Sequence, residues 1–108
     1  MDKFLFTAGS TLAISGSWGS GDVFSTQTTI VAVIEFNSKL GHTVQAPFSC
    51  TVTLTPTGRD FQIYAGADST ASWPKGVHTL RIKRIDADHF PNHDPLVDVL
   101  EPVMIEVR

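Results

Sequence analysis

The metal-capable side chains cluster in one segment, Asp86-Ala87-Asp88-His89-Phe90-Pro91-Asn92-His93-Asp94. His89 and His93 have the spacing that puts two zinc ligands on one helix face, but Pro91 between them breaks a helix. An EF-hand-type calcium loop opening at Asp86 needs glycine sixth and glutamate twelfth, where this chain has Pro91 and Val97. A metal-dependent enzyme built on His89 and His93 is thus the weakest of three functional readings. The segment reads as a polar, solvated loop, and no metal is expected.

The remaining reactive side chains are scattered. Cys50 could be a nucleophile, but its neighbours put it on the inward track of a strand and no histidine lies near it, so an inert buried thiol is expected. His42 and His78 are isolated, the latter reading as a rim residue at the start of a strand. No serine sits in a nucleophile-elbow context, and Gly19 and Gly21 lack the strand-to-helix setting of a phosphate cradle. Neither a catalytic residue nor a cofactor is expected. Trp18, Trp73 and Tyr64 could form an aromatic platform for sugar, which makes a carbohydrate-binding module the second reading. Both tryptophans, however, fall on core-facing parity or at a core-capping turn.

Charge is unevenly placed. Lys75, Arg81, Lys83 and Arg84 hold half of the eight Lys and Arg, while Asp86, Asp88, Asp94, Asp98, Glu101 and Glu106 make the C-terminal fifth acidic. Two interpretations follow. One is a solvated strand face beside an acidic loop. The other is a pair of complementary patches that set register between neighbouring molecules, with Arg81, Lys83 and Arg84 as interface residues.

The stretch that must position these groups is Thr70 to Ile85. Trp73-Pro74-Lys75-Gly76 reads as a tight turn, because proline fixes φ at the first corner and glycine suits the exit of a type I turn. His78, Leu80 and Ile82 then alternate with Thr79, Arg81 and Lys83, the period of a half-buried strand. Trp73, just before the turn, is expected to cap the open end of a two-sheet core. Gly66 to Ser72 fits a single helical turn with Asp68 or Ser69 as cap.

Alternation elsewhere predicts further strands. Phe4–Phe6 is short, and Ser10–Trp18 carries Leu12, Ile14 and Trp18 on one face, with Gly16 as a weak point or bulge. Thr28–Phe36 is apolar on both faces, so it is central or covered by a neighbouring protein. Asn37 to Gly41 reads as a hairpin-type connection. Phe48, Cys50, Val52 and Leu54 point inward against an outward row of Ser49 and threonines, and Phe61, Ile63 and Ala65 follow. In the last strand, Leu96–Val107, Pro102 lacks the ladder donor and demands an edge or a bulge.

With 108 residues there is room for one domain, taken as 1–108. One cysteine excludes an internal disulfide, and a net charge of −3 argues against bulk nucleic-acid binding. The N-terminal apolar run is too short for a signal peptide, and no stretch reaches the roughly 20 apolar residues of a membrane span. The expected fold class is an all-β, antiparallel two-sheet β-sandwich of about seven to eight strands.

One rhythm in the chain resembles a known family. Small β-sandwich proteins of tailed-bacteriophage structural-gene blocks share a Gly-rich start, a strand ending in Trp, an Asp-containing loop, an apolar strand and a polar stretch ending in Thr-Ala-x-Trp-Pro-x-Gly. The matching residues here are Gly9, Trp18, Asp22, Ile30, Ile34 and the run Ala67-Asp68-Ser69-Thr70-Ala71-Ser72-Trp73-Pro74-Lys75-Gly76, with Leu80 and Ile82 behind it. Glu101–Arg108 resembles the family's closing strand, whereas the long Asp86–Pro95 loop and Pro102 depart from it. Such proteins are similar to immunoglobulin-like capsid or tail accessory proteins and to the N-terminal domains of upper baseplate proteins. The resemblance implies a non-enzymatic virion part, made in the host bacterial cytoplasm. It would be held in many copies by other virion proteins, with no nucleic acid or membrane partner.

Overall fold

The structure is a computed structural model that describes residues 3–19, 22–37 and 46–108. In chain order it contains β1 (Phe4–Phe6), β2 (Leu12–Ser17), β3 (Thr28–Glu35), β4 (Phe48–Ser49), β5 (Thr51–Leu54), β6 (Asp60–Ala65), α1 (Ala67–Thr70), β7 (Gly76–Asp86), β8 (Leu96–Val99) and β9 (Val103–Val107). The larger sheet runs β1-β9-β7-β3-β4, with β8 also on β7, and the smaller runs β2-β6-β5. In immunoglobulin lettering, β2, β6 and β5 take the places of B, E and D, and β9, β7, β3 and β4 those of G, F, C and C′. The fold is an all-β sandwich of the expected kind. The hairpin-type connection read at Asn37 to Gly41 falls, beyond Asn37, outside the described residues.

Alternating side chains put one face of each sheet into a shared core. Leu12 on β2, Ile30, Ala32 and Ile34 on β3, Phe61 and Ile63 on β6, Leu80 and Ile82 on β7 and Ile105 on β9 are all buried there. Where antibody domains staple their sheets with a disulfide, the two sheets here meet through a cluster of apolar side chains, with Thr28, Thr70, His78 and Arg84 buried at its margins.

Nine strands appear among the described residues because two continuous runs are each divided. At Cys50 the chain leaves the larger sheet, where β4 pairs with β3, and enters the smaller, where β5 pairs with β6. The Cys50 amide donates to the Ala32 carbonyl (2.8 Å) at the crossing. In the last run the pairing moves from Lys83↔Val99 to Leu80↔Val103, so two residues of β7 face three, Leu100 to Pro102. This is the bulge that Pro102 demands.

Gly16 corrects an expectation. The β2–β6 ladder continues through Gly16↔Phe61 without a bulge. Glycine is needed because the Phe61 ring occupies the space: a Cβ there would lie 2.7 Å from the ring Cζ.

Candidate functional site

The helical turn before β7 holds the corner in place. Gly66, not Asp68 or Ser69, is its N-cap, and no side chain caps it. Thr70 is buried; its hydroxyl donates to the Ser10 carbonyl (2.6 Å) and accepts from the Gly9 amide (3.1 Å), tying the β1–β2 connection to the corner. Trp73 is 3% exposed, with Phe6, Phe36 and Phe48 around its ring at centroid distances of 5.7, 5.7 and 5.3 Å. The indole caps the core as its position before the corner implies.

The corner itself is not a closed type I turn. The chain bends at Lys75 and enters β7 at Gly76, whose φ of +127° favours glycine. His78 supports it from within rather than standing at a rim. Its Nδ1 accepts from the Asn37 amide (3.0 Å), so Nε2 carries the proton and donates to the Pro74 carbonyl (2.7 Å). The imidazole is therefore a neutral, two-ended brace.

Beyond Gly76 the parity of β7 separates the three basic residues. Arg81 and Lys83 lie exposed on the outer face of the larger sheet, while Arg84 turns inward and is 3% exposed. Arg84 Nη2 donates to the Asp22 carbonyl (2.7 Å) and to Asp86 Oδ1 (3.2 Å), and its guanidinium lies 5.0 Å over the Phe24 ring. Nε sits 2.9 Å from Asp86 Oδ2, an ionic contact outside hydrogen-bond alignment. Thr28 donates to the same carboxylate (2.7 Å), and Trp18 Nε1 donates to Asp98 Oδ2 (2.9 Å). Arg84 thus belongs to a structural knot joining β2, β3, β7 and β8, not to the outer face. Half of the acidic patch is spent in the same way: Asp86 and Asp98 act inside this knot, and Glu106 takes Lys3 and Arg108. Those two hydrogen bonds hold the Glu106 carboxyl below its ordinary range.

On the outer face, Val33 pairs across from Arg81, Val31 from Lys83, and Lys83 in turn from Val99. Val31, Val33, Glu35, Arg81, Lys83 and Val99 line one shallow apolar recess. Val97 and Val99 are 50% and 64% exposed. Arg81 Nε donates to Glu35, whereas Lys83 makes no ion pair among the described residues. The result is two valine ribs flanking a basic stripe, a surface suited to burial against an apolar partner with acidic groups at fixed spacing.

The other candidate residues do not converge. His93 Nδ1 pairs with Asp88, and the His89 ring stands edge-on to Phe90 at 4.8 Å. Among the described residues no group of three potential metal ligands forms. Cys50 is half-buried, and that burial pushes its thiol up to about 11. Trp18 is 1% exposed, so neither indole offers an open face to a sugar, and Tyr64 stands alone on the smaller sheet. His42 lies outside the described residues.

Sequence reasoning missed the knot around Arg84. The available signal was its even-numbered parity with His78, Leu80 and Ile82, with Asp86 two residues on along the same track. Neither a scan against protein-family models nor a search of curated proteins finds a match for this chain.

Proposed function

We propose that this protein is a non-enzymatic structural component of a tailed-phage virion, a head decoration, connector, tail or baseplate accessory part that works through protein–protein contacts. The observation that carries the reading is the outer face of the larger sheet, where Val31, Val33, Val97 and Val99 stand beside Arg81 and Lys83. An exposed rib (Val97, Val99) and a half-buried one (Val31, Val33) next to fixed charges are what a docking surface needs: burial supplies affinity and the cations set register. The Trp-Pro-x-Gly corner supports the same reading through its resemblance to phage β-sandwich proteins.

The test is reattachment to particles assembled without this protein. The unsubstituted chain should bind them saturably. Reversing both cations (Arg81→Glu with Lys83→Glu) or placing a carboxylate on the rib (Val99→Asp) should weaken binding at least about tenfold, equivalent to 1.4 kcal/mol, with the circular dichroism spectrum unchanged. A folded chain that fails to bind such particles, or variants that bind as well as the original, would refute the proposal.

A further inference from the structure

The two sheets have edges, and among the described residues the outer edge of β2 is unguarded. The Trp18 amide donates to the Arg59 carbonyl (2.8 Å), one step past the Ser17↔Asp60 pair, which fixes the phase of the β2–β6 ladder. Even-numbered residues of β2 turn their amides toward β6, so Ala13, Ser15 and Ser17 direct N–H and C=O groups away from it. All three are exposed, and among the described residues nothing pairs with that side. From Thr11 to Trp18 there is no charged residue and no proline. Edge strands of monomeric proteins usually carry such a block. The β8 edge has one, with Asp98 in the strand and Pro95 and Pro102 flanking it.

We infer that β2 is a self-pairing edge and that its occupant is β2 of a second copy, antiparallel across a two-fold axis at Ser15. Across a two-fold at Ser15 the axis residue meets its own copy and every other residue meets one from the opposite half of the strand; because β2 carries no charge, the pairing creates neither a like-charge contact nor an unpaired charge. The hydrogen-bonding residues come into register, with Ser15 facing Ser15 of the second copy and Ala13 facing Ser17. On the core-side row Ile14 falls opposite Gly16, a half-buried side chain beside the position that Phe61 keeps without one. Pairing merges two three-stranded sheets into one of six and leaves the valine-and-cation face of each larger sheet open. The inference is independent of whether the chain belongs to a virion.

A six-residue strand pair is small beside the roughly 1,600 Å² of a standard stable complex, so association is weak and concentration-dependent. In a Cys50→Ser background, Ser15→Cys should oxidise to a covalent dimer, since hydrogen-bonded antiparallel partners sit about 5.5 Å apart at Cα, within disulfide reach. Gln62→Cys, on the neighbouring strand of the same face, is the collision control. We expect Ser15→Cys to cross-link at least tenfold faster, and sedimentation equilibrium of the unsubstituted protein to show a monomer–dimer equilibrium that Ser15→Lys abolishes without loss of fold. Equal cross-linking rates, or a monomer at all concentrations up to about 1 mM, would overturn the inference.

Discussion

Lys83 and Arg84 are neighbours in sequence and opposites in environment. The ammonium of Lys83 sits in water, and its replacement by alanine should change stability by no more than about 0.5 kcal/mol. Arg84 is enclosed by Phe24, two carbonyls and Asp86. Removing it strands a carboxylate that is itself mostly buried, so Arg84→Ala should cost about 3–5 kcal/mol, read from urea unfolding midpoints. Roughly equal midpoints for the two variants would show that the knot contributes nothing. One residue of register separates a surface contact from a core contact, and counting basic side chains cannot distinguish them. Parity can.

Elements show where pattern reading succeeds and where it fails. Strands β2, β3 and β6 lie where alternation predicts them, because each keeps one face on the core along its whole length; β1 lies where its short apolar run is, with Phe6 alone buried. The crossing at Cys50 leaves no trace in the sequence: Phe48, Cys50, Val52 and Leu54 stay on the core side although the backbone changes sheets. Pro102 was legible because a missing amide is a chemical fact about one residue. The Arg84 knot was not, since its partners come from four separate stretches of chain.

The crossing has a measurable consequence. Burial raises the Cys50 thiol from 9.0 to about 11, so native protein at pH 8 should react with iodoacetamide far more slowly than urea-unfolded protein. The linkage has a definite sign. Below about pH 9 both states hold the proton; between 9 and about 11 the unfolded thiol ionises first, and stability falls as pH rises through that window. Replacing Cys50 with serine should remove that part of the pH dependence, as read from unfolding midpoints on either side of it.

At the scale of the whole molecule, one buried cluster draws on both sheets. Urea unfolding followed by indole fluorescence and by far-ultraviolet circular dichroism should therefore trace one coincident transition. Two separated transitions would mean that the sheets come apart independently. The all-β sandwich was legible from strand spacing, since an antiparallel core needs only alternation and turns, but the parallel β1–β9 pair and the change of sheet at Cys50 were not. The proposed function rests on a resemblance and on one surface, because a docking role is defined by what lies across from it.

The terminal strands lie side by side and run in the same direction, Phe4 against Ile105 through Phe6 against Val107. The Arg108 amide bonds to the Phe6 carbonyl (2.8 Å) and the Ala8 amide to the Arg108 carbonyl (3.1 Å). Tension drawn before β1 and after β9 would slide these strands past each other, so their bonds must rupture together rather than one at a time. Such a clasp resists pulling in the way a lap joint does, a useful property in any part loaded through both ends.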